Sequence, residues 1–261
     1  MQTQKLRHFL STIRLLTIAE LDGAPSLNER LRIVKEGDIE VCYAPFEYIN
    51  LMARIVIVGI TPGRTQMLNA IKECHRQLDA GASESDALRA AKLTGAFSGA
   101  MRPNLIGMLD AIGLQRWAGI SSCAELFGKS SHLAQTASVL RNPVFVAGEN
   151  YNGTPSMVRH PLLRQQLIDG FGQDVKELHS AIYVPLGDKV AEALNVLADL
   201  GIVDRSRILE GLPHPSGANA ERIAYFLGKK EKAALSTKTN ALKIDQQKAS
   251  ILEKVRNLPR L

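Results

Sequence analysis

The sequence predicts an α/β fold: a three-layer α/β/α arrangement around a mostly parallel central sheet of about four strands, with helical extensions at both ends. Three observations predict it. Short apolar runs rich in β-branched residues, such as "RIVIVGI" (54–60) and "AIYVPLG" (181–187), alternate with longer stretches of helical periodicity. Such short buried strands belong to parallel sheets with helices on both faces. Two turns, "GITPG" (59–63) and "HPSG" (214–217), follow predicted strands, and in sheets of this kind the working site lies beyond the carboxyl ends of the strands.

The elements follow in chain order. Residues 3–20 place Leu6, Phe9, Leu10, Ile13 and Leu16 on one helical face. Pro25 and Ser26 open a short helix over 26–34, and "DIEVCY" (38–43) alternates as a strand. "ARIVIVGITPG" (53–63) is a buried strand running into a turn. Helices are predicted over 64–80 and 84–93, the second opened by Ser83 and Asp86 in capping-box spacing. Pro103 starts a helix that Gly113 stops. A weak strand signal over 132–139 precedes a clearer one in "NPVFVAG" (142–148) and the polar loop "ENYNGTPS". Helices at 157–169 and 172–179, a strand at 181–187, a helix at 188–200, a strand at 206–210 and a helix at 218–230 complete the alternation. This divides the chain into an N-terminal helical extension (1–50) packed on the core, a central domain (51–228) and a basic helical tail (229–261).

Composition narrows the class. A chain of 261 residues with 45% apolar and 22% charged residues can bury one full α/β core. No run reaches the ~18 apolar residues of a membrane span, and "KLRHFLSTIRLL" lacks a cleavage-site pattern. A cytoplasmic protein without a membrane partner is expected. Cys42, Cys74 and Cys123 are too few and too scattered for a disulfide framework or a thiolate cluster. No metal-ligand spacing joins the histidines to cysteines or acids, so neither a metal nor a cofactor is expected. The formal charge of +6 is carried by residues 229–261 alone, with nine Lys/Arg against three Asp/Glu. Ile244, Ile251, Val255 and Leu258 give this tail a helical stripe for packing, and its cations suit nucleic-acid phosphates. The two roles are compatible.

His214 stands between Pro213 and Pro215, after a predicted strand and just ahead of a helix. Flanking prolines fix the backbone, a setting for a histidine that aims one ring nitrogen at a fixed point. Together the two turns resemble the paired motifs of the uracil-DNA glycosylase superfamily. The first of those reads Gly, any residue, Asp, Asn or Ala, then Pro, then Gly or Tyr, after the first buried strand. The second reads His or Asn, Pro, Ser, then Gly or Pro, after the last. Between them, "GAFSGAMRPNLIGMLDAIGL" (95–114) is similar to the segment that supplies a base-stacking aromatic and the helix after it. "HPLLRQQL" and "AIYVPLGDKVAEAL" resemble the helix and strand before the last motif, so the likeness covers about residues 54–228.

The resemblance implies a monofunctional, metal-independent DNA glycosylase that flips a nucleotide out of single- or double-stranded DNA and hydrolyses its N-glycosidic bond. It implies a monomer. His214 would donate a hydrogen bond to a pyrimidine carbonyl oxygen as charge grows there. Thr61 stands where the family places the Asp or Asn that positions the attacking water, and Glu149 is the nearest candidate acid. Phe97 would stack on the base, with Ile60, Asn150 and Gln135, Thr136 or Ser138 around it. Gly63, Ser216, Gly217, Asn219 and Arg222 would hold DNA phosphates. Ala218 and Asn219 stand where a large apolar wedge is common, and residues 64–92 form an inserted helical pair. These departures widen the implied substrate from uracil to another modified or damaged pyrimidine, including a bulky glucosylated cytosine of foreign DNA. Two other readings stand beside it: a catalytically silent DNA-binding member, and an α/β domain whose turns hold a small phosphate ligand.

Overall fold

The structure, a computed structural model, describes residues 2–95, 101–178 and 180–259. In chain order its helices and strands are α1 (Gln2–Arg14), α2 (Ile18–Leu21), α3 (Ser26–Arg30), β1 (Arg32–Glu36), β2 (Ile39–Cys42), β3 (Ile55–Gly59), α4 (Arg64–Asp79), α5 (Glu84–Gly95), α6 (Met101–Ala111), α7 (Leu114–Trp117), β4 (Ala134–Ser138), β5 (Val144–Val146), β6 (Glu149–Asn150), α8 (Pro161–Asp169), α9 (Phe171–Asp174), β7 (Ile182–Pro185), α10 (Asp188–Asp199), α11 (Ala220–Phe226) and α12 (Ala241–Arg256). Among the described residues no helix is long and apolar enough to cross a membrane. The chain is mixed α/β and forms two compact units, one of residues 1–49, 60–96 and 140–171, the other of residues 50–59, 97–139 and 172–261.

The first unit holds an antiparallel sheet in the order β1-β2-β5-β6. A two-residue loop closes β1 on β2, with Gly37 at φ +55° in its first position, where a primed hairpin turn requires positive φ. Ala147 and Gly148, at φ +50° and +82°, close β5 on β6. The core comprises Leu10 and Ile13 of α1, Leu16 just after it, Met67, Ile71 and Cys74 of α4, Leu88 of α5 and Phe145 of β5. Buried Lys92 is satisfied by the carbonyl of Phe46 at 3.1 Å and lies over the Phe46 ring.

Two expectations change here. The segment 26–34 is helical only to Arg30, because Arg32 and Val34 pair with β2 as a strand, with Ile33 at a bulge between them. Residues 144–146 join β2 antiparallel rather than extending the parallel sheet, since the tight turn at Ala147–Gly148 returns the chain at once and leaves no room for a crossover helix.

The second unit is built on a parallel sheet in the order β4-β3-β7. Ile55 to Gly59 pair in register with Ala134 to Ser138 on one side, and Ile55 to Val58 with Ile182 to Pro185 on the other. All five residues of β3 are buried. The expected fourth strand, 206–210, is reduced to one parallel bridge between Tyr183 and Ile208. Asp204 accepts a hydrogen bond from Ser206 N and winds Arg205–Arg207 into a 3₁₀ turn, which uses up the residues a longer strand would need. Ile55, Ile57, Ile182 and Val184 pack with Leu105, Met108 and Leu109 of α6, Ile223 and Phe226 of α11, and Ile244, Ile251 and Val255 of α12. The stripe of the basic tail is therefore core.

Because Ile251 is fully buried in this core, Ile251→Ala should lower the unfolding free energy by about 2–5 kcal/mol in urea titration. Leu242→Ala, on the exposed side of the same helix, should change it by less than about 0.5 kcal/mol.

Candidate functional site

In the second unit the chain leaves its bridge with Tyr183 at buried Leu209, passes buried Leu212 and enters the Pro213–His214–Pro215 turn. Asn104 of α6 ties this turn down by donating to the Pro215 carbonyl at 3.0 Å. The His214 side chain lies against Gly187, just past β7 and at φ +93°. A Cβ on Gly187 would sit 3.4 Å from His214 Cβ, in ordinary contact, so glycine serves here for its backbone angle.

The backbone N–H of Ser216 donates to His214 Nδ1 at 3.3 Å. A nitrogen that accepts a hydrogen bond carries no proton, so in the neutral ring the proton rests on Nε2. Nε2 has no partner among the described residues. Burial pushes the His214 pKa below its ordinary value by disfavouring the cation. The turn thus presents a neutral imidazole with one N–H left to give.

Ser216 Oγ accepts from Asn219 Nδ2 at 3.1 Å, and Asn219 Oδ1 accepts from Arg222 Nη1 at 2.9 Å. Gly217 is exposed, with open space where a Cβ would stand. The structure therefore gathers His214, Ser216, Gly217, Asn219 and Arg222 in one turn and the helical segment after it. On β4, Ser138 pairs with Gly59 at the carboxyl end of the strand. Gln135 is buried lower on that strand, and its amide oxygen accepts from Asn50 N at 3.1 Å.

In the first unit, Thr61 Oγ1 donates to the Asn142 carbonyl at 3.0 Å and accepts from Val144 N at 3.2 Å. A hydroxyl has one proton and two lone pairs, so Thr61 has one acceptor position left. Ile60 accepts through its carbonyl from Leu140 N. The Gly63 amide donates to Gln66 Oε1 at 2.9 Å in a capping arrangement at the start of α4. Asn150 Oδ1 accepts from Arg64 N at 2.9 Å, so both amides at this helix start are satisfied within the fold. Glu149 is exposed on β6, paired with Val146. Phe97 lies outside the described residues.

Asn142 is the residue that sequence reasoning missed. Its side-chain oxygen is buried without a hydrogen-bond partner among the described residues, while its backbone carbonyl takes the Thr61 proton. An unmet buried acceptor costs about 1–3 kcal/mol, and a ligand N–H would meet it. Its only sequence signal was an Asn-Pro pair ahead of a strand. Among the described residues no group of three or more His, Cys, Asp or Glu is placed to hold a metal ion.

The chain is 33% identical, over 243 residues, to the uncharacterized protein YoxB of Bacillus subtilis (strain 168). The match covers 92% of this chain and 94% of that protein. No protein-family model matches the chain, and no solved structure matches it.

Two outcomes follow from the geometry. Thr61→Val strands the Val144 N–H and the Asn142 carbonyl and should cost about 1–3 kcal/mol of stability in urea titration, whereas Thr61→Ser, which keeps both bonds, should cost under about 1 kcal/mol. For His214, the unfolded chain takes up the proton first as pH falls, because the folded pKa is the lower one. Its contribution to stability is complete above about pH 6.5 and is lost as pH falls toward the folded pKa. An NMR titration should show a midpoint below about 6.5 and the Nε2–H tautomer at pH 7.

Proposed function

We propose that this chain, which belongs to the YoxB family, is a DNA glycosylase that hydrolyses the N-glycosidic bond of a flipped-out uracil or other modified pyrimidine. The observation that carries the reading is the His214 turn: a half-buried imidazole whose Nδ1 is held by Ser216 N–H, leaving Nε2–H without a partner among the described residues, in the same turn as the hydrogen-bonded set Ser216, Asn219 and Arg222. As the bond from C1′ to the base stretches, its electron pair moves into the base and charge grows on a ring carbonyl oxygen. A fixed donor in a partly desolvated site stabilises that charge without reorganising. Water then attacks C1′; its hydroxyl remains on the sugar and its proton leaves on the base. The resemblance gives the water-holding position to Thr61, whose hydroxyl can still accept one hydrogen bond; Glu149 is our candidate for an acid that substitutes for the Asp or Asn absent there.

Arg222, Asn219, Ser216 and the open backbone at Gly217 suit a DNA phosphate. The reading carries with it a monomer working in the cytoplasm, without metal, on a three-layer α/β/α fold. The second reading, a DNA-binding member without catalysis, is favoured by the residue at this position: Thr61, whose proton goes to the Asn142 carbonyl, can accept a hydrogen bond from water, but a hydroxyl is too weak a base near neutral pH to take the water's proton.

The test is alkaline strand cleavage of end-labelled oligonucleotides carrying uracil, hypoxanthine, xanthine, 5-hydroxymethylcytosine or its glucosylated form. Abasic sites at one of these bases, reduced about 100-fold or more by His214→Ala, are the expected result. Salt-sensitive binding without excision across the panel transfers the assignment to the non-catalytic reading. Excision unaffected by His214→Ala removes His214 from the mechanism.

A further inference from the structure

The carboxylate of Glu221, in the first turn of α11, gathers the loop that follows this helix. Its Oε1 accepts from Lys230 Nζ at 2.7 Å and Ser236 N at 3.1 Å, and its Oε2 from the hydroxyls of Ser236 at 2.6 Å and Thr239 at 2.5 Å. These donors, Lys230 foremost, hold the carboxyl well below the usual range. Next to it, Arg222 bonds the Lys238 carbonyl with Nη2 at 3.4 Å while its Nη1 holds Asn219, which in turn reaches Ser216 Oγ. A continuous hydrogen-bonded chain thus runs from the His214 turn to residues 230–239.

What this chain fastens is positive. Residues 221–240 carry five cations against two acids, and one of each, Lys230 and Glu221, cancel in an ion pair. Arg222, Lys229, Lys232 and Lys238 are exposed. The helix after the loop uses its lysines differently. Lys243 pairs with Asp188, Lys248 donates to the Phe226 carbonyl and lies over its ring, and Lys254 reaches the Ile208 carbonyl and Glu210. The tail's charge therefore divides into lysines that fasten α12 and lysines on an exposed loop moored to the candidate site.

We propose that residues 229–240 form a phosphate track for a DNA strand, continuous with Ser216, Asn219 and Arg222, and that Glu221 is its positioning residue. The proposal rests on the DNA-binding part of the reading above. Between Lys232 and Lys238 stand Ala233, Ala234, Ser236 and Thr237 with the half-buried Leu235, and no large apolar side chain of the loop is exposed. A membrane-surface segment would need such side chains to enter the lipid. Spaced ammonium groups on a moored loop suit a backbone of spaced phosphates, whose condensed counterions they release.

The test is fluorescence anisotropy of the full chain with a labelled single-stranded oligonucleotide across a salt titration, beside excision assays on the same samples. Lys232→Ala/Lys238→Ala should weaken binding about tenfold and make the log–log salt slope shallower by about 1.4. Glu221→Ala separates mooring from charge. Removing an anion near a polyanion would tighten binding by Coulomb attraction alone, whereas loss of the mooring should weaken it about three- to tenfold. Thermal melting confirms that each variant is folded. The track is overturned if Glu221→Ala binds as tightly as the parent or tighter, if the lysine pair leaves the slope unchanged, or if the parent binds phosphatidylglycerol vesicles and not DNA. Binding with the expected slopes but no excision sinks the glycosylase and leaves the track. Excision with a slope indifferent to the loop sinks the track alone.

Discussion

A strand that is buried along its whole length keeps its place only if its peptide groups are paired on both edges, since an unpaired buried amide costs as much as a lost hydrogen bond. The strand β3 meets this demand through β4 on one side and β7 on the other, both parallel to it and both in unbroken register. That double pairing sets Gly59 opposite Ser138 and Val58 opposite Pro185, so that the carboxyl ends of the three strands lie within one residue of one another. The second unit's loops inherit their positions from it. Gly187 follows the end of β7 by two residues, and the His214 side chain rests on it.

The histidine shows how little machinery is needed to prepare a donor. Pro213 and Pro215 limit the backbone, Asn104 anchors the Pro215 carbonyl, and one amide two residues along the chain selects the tautomer. Among the described residues no carboxylate holds the ring. A carboxylate partner on Nδ1 would raise the pKa and favour the imidazolium, whereas a backbone N–H can bond Nδ1 only while that nitrogen is unprotonated. Burial pushes in the same direction. Neutrality is thus built into the turn by two independent effects of one sign.

The legible and the hidden parts of the molecule differ for physical reasons. Strands β3 and β7 were legible because burial on both faces leaves an uninterrupted apolar run. The helices α4, α5 and α10 were legible because each buries one stripe. The turn at His214 was legible because proline and glycine restrict or free the backbone wherever they occur. The strand β1 was hidden: "RIVKE" is as polar as a surface helix, and only pairing with β2 decides its state. The antiparallel partner of Val144–Val146 was equally hidden, because an apolar run carries no mark of direction. In the candidate site, Ser216, Asn219 and Arg222 could be named from the resemblance of their turn to a known motif, but the role of Glu221 could not. Its donors lie nine to eighteen residues further along a loop that has no periodicity of its own. Asn142 was invisible for a related reason, since an unmet acceptor is a property of surroundings rather than of sequence.

The interleaving of the two units has a consequence for synthesis on the ribosome. The first unit has all of its residues once position 171 has emerged. The second unit places Ile55 early in the chain and Ile251 and Val255 near its end in the same core, so its central strand must wait for nearly the whole polypeptide before its apolar side is covered. Such distant partners make for slow closure and a long-lived exposed surface. During translation the strand that organises the second unit is among the first segments made and among the last to be sheltered, which places its protection in the hands of chaperones.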